Sequence, residues 1–82
     1  MKSEIFREAI KSRSKVRFYY GLFEWVVEPY YISTDRNGNK VLYAKVSSSN
    51  KVKKFDFRKM ANIKVFNDYK FSPVIPIIPM AS

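Results

Sequence analysis

The hydrophobic period changes once, near Ser14, and that change limits the folds open to the chain. Before it, Ile5, Phe6, Ala9 and Ile10 recur at helical spacing, with Glu4, Arg7, Glu8 and Lys11 on the other side. Ser3 suits an N-cap and Glu4 suits the first turn, so the pattern predicts a helix over 3–12. A helix this short is not stable alone and must dock through its apolar stripe. After Ser14 the period is two: Val16, Phe18 and Tyr20 alternate with Lys15, Arg17 and Tyr19. A helix followed by alternating segments calls for a mainly β domain.

The segments that follow are short. Glu24 to Ser33 reads as a second strand, with Trp25 and Val27 opposed to Val26 and Glu28. Pro29 donates no ladder hydrogen bond, so it marks an edge or a bend. Asp35-Arg36-Asn37-Gly38-Asn39 is a dense hairpin signal leading into a third strand, Val41 to Val46. Ser47-Ser48-Ser49-Asn50 reads as a flexible loop. Lys51 to Phe57 is a fourth strand, Arg58 to Ala61 one helical turn, and Ile63 to Phe66 a fifth strand. Five short strands behind one helix predict a small closed barrel, because closure removes edges that so small a domain can hardly protect.

With 82 residues the chain is one domain with a modest core. Rings make up 17% of it, an economical filling for such a core. Cysteine and histidine are both absent, which removes disulfides, thiolate metal sites and the commonest general base. No carboxylate pair is spaced for acid–base work, so the expectation is a non-enzyme without cofactor or metal. No run approaches the roughly 18 apolar residues of a membrane span, and the first residues lack the apolar core of a signal peptide. A soluble, cytoplasmic protein is expected.

Charge is the strongest functional clue. Sixteen Lys and Arg against seven Asp and Glu leave +9. Such a field attracts polyanions. Eleven of the sixteen are lysines, point charges suited to phosphate more than to base edges. They meet aromatics on the fourth strand, where Lys51, Lys53, Phe55 and Phe57 share one face and Lys54 lies on the other. Lysines that hold phosphates beside rings that stack on bases make a single-strand binding surface. The plain alternative is a solvated basic end on a strand with core phenylalanines, and it fits Phe57 best; Phe55 suits either role. The candidate ligand-binding residues are Arg17, Tyr19, Tyr43, Lys51, Lys53, Phe55, Arg58 and Lys59. Tyr30 and Tyr31 are further candidate rings, at least half of the tyrosines being core by ordinary frequency, and Trp25 is assigned to the core.

Several of these elements, in this order, resemble the WYL-domain family over about residues 5–73. The resemblance rests on Ala9-Ile10 closing the first helix, Tyr19 or Tyr20 ending the first strand, and Val27-Glu28-Pro29. It continues with Lys53-Lys54-Phe55, Lys59-Met60, and Phe71 before the last proline-rich stretch. Either Lys40-Val41-Leu42 or Val41-Leu42-Tyr43 stands where the family carries Trp-Tyr-Leu, and Lys53 and Lys59 stand where it usually carries arginine. The resemblance implies an Sm-like (Src-homology-3-like) barrel. It also implies a bacterial transcription-regulatory module that binds nucleic acid, often single-stranded, or a nucleotide-like ligand. The family's usual helix-turn-helix is not seen in the sequence, so a freestanding module, or one acting in trans, is expected.

Residues 1–72 are assigned to the barrel and 73–82 to an extended apolar tail whose prolines bar helix. Val74, Ile75, Ile77 and Ile78 then cover a groove on their own barrel or dock on a second copy, and the balance favours a homodimer through 73–80. The competing functional class is a protein-interaction or small-ligand-sensing module with this tail as its interface.

Overall fold

The computed structural model describes residues 2–70; the expected tail 73–82, and with it the expected dimer segment 73–80, lies outside the described residues. The elements run α1 (Lys2–Ser12), β1 (Ser14–Tyr20), β2 (Phe23–Thr34), β3 (Lys40–Val46), β4 (Val52–Asp56), a 3-10 turn (Phe57–Lys59) and β5 (Met60–Lys70). The fold is mainly β, with five antiparallel strands in one sheet and an N-terminal helix. All the expected elements form. The helical turn falls a residue earlier than the sequence suggests, and β5 begins at Met60 and is longer than expected.

The strand order is β4-β3-β2-β1-β5, and no ladder joins β4 to β5 among the described residues. The expected closure is therefore not made by hydrogen-bonded strands. The sheet nevertheless rolls. In a flat sheet the two edges would stand roughly 19 Å apart. The link from Asp56 to Met60, part of it a tight turn, reaches at most about 14 Å when fully extended. Rolling brings the edges together, and the Tyr20 hydroxyl accepts the Asp56 backbone N–H at 3.0 Å. A side-chain bond stands where a closed barrel would place backbone pairing.

Alternation sets the faces as the period of two requires. Val16, Phe18, Val27, Leu42, Ala44 and Phe55 point inward and are buried, while Arg17, Tyr19, Glu24 and Lys54 point outward. The helix closes the inner side through Phe6, Ala9 and Ile10. Ile5, expected on the same stripe, is 37% exposed because it sits at the margin of that face. Phe6 meets Phe18 edge-on at 6.1 Å and Phe57 at 5.3 Å. Lys2 donates from Nζ to the Phe57 carbonyl at 2.6 Å, tying the start of α1 to the 3-10 turn.

Two irregularities let the chain bend. Pro29 lies in β2 at a shift in register with β3, and β1 pairs β2 only over Phe23–Val27. Its missing N–H falls past the end of that ladder, so no bond is forfeited. A second shift, between Arg17 and Tyr19, places Asn62 at φ 53° on β5. Such a bulge increases local twist and helps the sheet curl. The Asp35–Asn39 hairpin forms as its sequence predicts: Asp35 Oδ1 accepts from the backbone N–H of Asn37 and Asn39, both at 2.9 Å. Gly38 takes the left-handed φ of 83°.

Phe55 is 1% exposed and Phe23 is 68% exposed, so the two rings have opposite energetic roles. Phe55→Ala is expected to cost about 3–5 kcal/mol of stability. Phe23→Ala should stay within about 0.5 kcal/mol of the parent. Urea-denaturation midpoints of the two variants test this; similar losses in both would contradict the assignment of faces.

Candidate nucleic-acid interface

The inner face of β2 continues past the core toward the β1–β2 hairpin. Trp25 pairs with Phe18 in register, is half-buried, and packs against Phe55 with centroids 5.4 Å apart. Two residues earlier on the same face, Phe23 stands in solvent. Two adjoining hollows open around Trp25. One, of about 480 Å³, is lined by Phe23, Glu24, Trp25, Val26, Val46, Ser47 and Ser48. The other, of about 470 Å³, is lined by Trp25, Val46, Ser49, Lys51, Val52 and Lys53. They share Trp25 and Val46.

The β3–β4 segment forms the expected loop, and backbone bonds tie it to the strands beside it. The Ser47 N–H donates to the Val26 carbonyl at 3.0 Å, and the Ser49 N–H to the Val46 carbonyl at 2.9 Å. Ser49 Oγ accepts from the Lys51 N–H at 3.1 Å. Lys45 donates to the Ser49 carbonyl at 3.0 Å while its ammonium stands 3.6 Å from the Glu28 carboxylate. Both partners of that ion pair are about nine-tenths buried, so Lys45 is committed to structure.

The expected site residues separate in space. Lys53 and Lys51 line the second hollow, and Lys53 Nζ sits 5.5 Å from the Trp25 ring centroid, a cation–π contact. Phe55, on the same face, packs among Phe18, Tyr20 and Trp25 and is a core ring, because the rolled sheet leaves it no path to solvent. Arg17 and Tyr19 lie on the opposite face of the sheet. The Arg17 guanidinium stands 5.7 Å from the Tyr19 ring, donates to the Asn62 carbonyl at 3.2 Å and faces Glu24 at 3.8 Å. Arg17 therefore does not join the lysines of the groove. Tyr43 is also on the outer face, stacked on Tyr31 at 4.7 Å with planes 19° apart and paired in register with Lys54.

Arg58 is engaged as well. It grips Asp56 with two bonds, Nε to Oδ1 at 3.1 Å and Nη2 to Oδ2 at 2.7 Å, and its own N–H donates to Oδ1 at 2.9 Å. Asp56 thereby caps the 3-10 turn, and these bonds hold its carboxyl down to about 2 from an ordinary 3.8. The same contact raises the Arg58 guanidinium above its ordinary value. Asp35 is also lowered, chiefly by the backbone N–H of Asn39. Lys59, next in the turn, is exposed. Trp25 as a groove wall and Phe23 were missed in the sequence. Their signal was the alternation itself, which sets Phe23 on the face of Trp25 but does not say where the core ends.

No family model matches the chain, and no curated protein or solved structure matches it. Among the described residues no helix is long and apolar enough to cross a membrane.

The Asp56–Arg58 contact gives an acid-sensitive term of known sign. The folded carboxyl titrates near 2 and the unfolded one near its ordinary value, so the folded state holds the ionised form more firmly. Its contribution is complete above pH about 4 and is lost as pH falls toward about 2. Asp56→Asn should flatten the fall in thermal midpoint over that window, leaving the smaller share that belongs to Asp35. Melting curves stepped from pH about 5 to 2 check this; parallel curves for parent and variant would remove Asp56 as the cause.

Proposed function

We propose that the protein is a non-catalytic regulatory module that binds single-stranded nucleic acid, or a nucleotide-like ligand, along the groove beside β4. The observation that carries this reading is the pairing of lysines with an accessible aromatic wall: Lys51 and Lys53 share a hollow with Trp25. Phosphates would lie along Lys51 and Lys53, and exposed Lys59 would extend the track past the end of β4. The net charge of +9 supports a polyanionic partner. Phosphate contact by lysine favours the backbone over sequence, so little base specificity is expected. The helix, the five antiparallel strands and the rolled sheet support an Sm-like barrel of the WYL kind as the proposed fold family.

A second reading has one observation in its favour. Leu22, at the tip of the β1–β2 hairpin, is 94% exposed beside exposed Phe23, as a protein-docking tip would be. Salt separates the two, since phosphate binding weakens with ionic strength and apolar docking does not.

Titrating labelled single-stranded and duplex oligonucleotides at two salt concentrations tests the proposal. The parent should bind single strands at low salt. Lys51→Ala, Lys53→Ala and Lys59→Ala should each reduce the log–log salt slope by about 0.7. Lys54→Ala, on the outer face, should leave it unchanged. An absence of binding at low salt, or unchanged affinity when Lys51 and Lys53 are both replaced, would end the nucleic-acid reading.

A further inference from the structure

The end of β5 is fixed on the ladder, and it sets where the rest of the chain begins. Lys70 pairs with Ser14 at the start of β1, so the chain leaves the sheet there. Ser14 lies two residues past the end of α1, and its Oγ meets that of Ser12 at 2.8 Å. Residues 71–82 follow from this point.

A hollow of about 390 Å³ opens at the same place, between α1 and β5, lined by Ile5, Glu8, Ala9, Ser12 and Val65. Ile5, Ala9 and Ser12 stand on one stripe of the helix, at i, i+4 and i+7. Ala9 and Ser12 are small, so the stripe leaves a channel along α1, with Ile5 at its far end and Val65 as its other wall. Ile5 is 37% exposed and Val65 is half-buried.

The residues after β5 match this channel in chemistry and in period. Prolines recur at 73, 76 and 79, and a polyproline II helix has about three residues per turn. In that conformation Val74 and Ile77 fall on one ridge, about 9.3 Å apart. Ile5 and Ser12 are about 10.5 Å apart along α1. From Lys70 to Val74 the chain reaches at most about 14 Å, which brings Val74 into the Ser12 end of the channel. The apolar hollow around Trp25 lies toward the other end of β1, where Tyr20 pairs with Phe23. Ser14 and Tyr20 are about 20 Å apart along the strand, so Val74 cannot reach that hollow on its own chain.

We propose that residues 73–78 dock in the channel between α1 and β5 of their own chain, with Val74 over Ala9 and Ser12 and Ile77 against Ile5. The docked segment straps α1 to β5, and a helix this short depends on such contacts. The prolines restrict the free segment, so ordering it loses less entropy than usual. Attachment at Lys70 supplies an effective concentration that a second copy lacks. None of this depends on the ligand read for the groove beside β4.

The chain has no cysteine, so a pair introduced into the full-length protein reports one contact. Ile5→Cys with Ile77→Cys, oxidised with diamide at low protein concentration, should form a disulfide within one chain, read as a monomer mass with loss of free thiol. Leu22→Cys with Ile77→Cys places the first cysteine at the exposed tip of the β1–β2 hairpin and should stay largely reduced. Melting temperature is the second readout. Ile5→Ser and Ile77→Ser should each lower it by roughly 4–8 °C. The double variant should lower it by less than the sum, since residues in contact do not add. Disulfide-linked dimers from the Ile5 pair would seat the segment on a second copy and overturn docking within one chain. Faster oxidation of the Leu22 pair would seat it at the Trp25 hollow and overturn it as well. Additive melting shifts, with neither pair oxidising faster than the other, would leave the channel without this occupant.

Discussion

Phe55 joins strands that the ladder keeps apart. Among the described residues β4 pairs only with β3, yet the Phe55 ring meets Phe18 of β1 at 5.1 Å, Tyr20 of β1 at 5.1 Å and Trp25 of β2 at 5.4 Å. All three contacts are steeply inclined, the arrangement ring quadrupoles favour. They exist only if the sheet rolls until its edge comes over its middle. The Tyr20 hydroxyl at Asp56 N–H, the 3-10 turn capped by Asp56, and the docking of Phe6 on Phe57 all follow from that roll. In a domain of this size one ring cluster does what a larger protein spreads over several layers.

The same roll divides the basic residues. Lysines of the inner face gather at the open end, beside Trp25, where the core stops and solvent begins. Arg17 stays on the outer face with Glu24, and Arg58 is held by Asp56. Lys45 is consumed by Glu28 and by the loop carbonyl of Ser49. The high net charge is therefore not spread evenly in function. Much of it is structural or dispersed, and the part that faces an aromatic wall is small.

Four buried side-chain polar atoms lack a partner among the described residues: Arg7 Nε, Arg17 Nε, Trp25 Nε1 and Ser47 Oγ. Elsewhere the turns spend their polar groups locally, as Asp35 does in the hairpin and Asp56 in the 3-10 turn. Two of the four, the Trp25 indole N–H and the Ser47 hydroxyl, lie beside the loop that backbone bonds tie to β2. Unmet hydrogen-bonding capacity of this kind costs stability.

Much of the architecture was legible in the residues alone. The change of period near Ser14, the Asp35–Asn39 turn and the alternation of β1 and β4 fix the elements, because local backbone preference and side-chain alternation need no distant partner. Alternation even assigns Lys53 and Phe55 to one face. It does not say how far the core extends along that face, so Phe55 could pass for a surface ring and Trp25 for a core one. Nor does it tell that Arg17 and Lys53 fall on opposite sides, since relating two strands takes register and roll, which are long-range. The sequence by itself determined the helix, the five strands, the inward and outward residues of each, and the excess of positive charge. Only the tertiary structure decided that the sheet rolls without closing, that Phe55 is enclosed while Phe23 is free, and which lysines meet a ring. Those outcomes depend on contacts between residues far apart in the chain, and no local pattern encodes them.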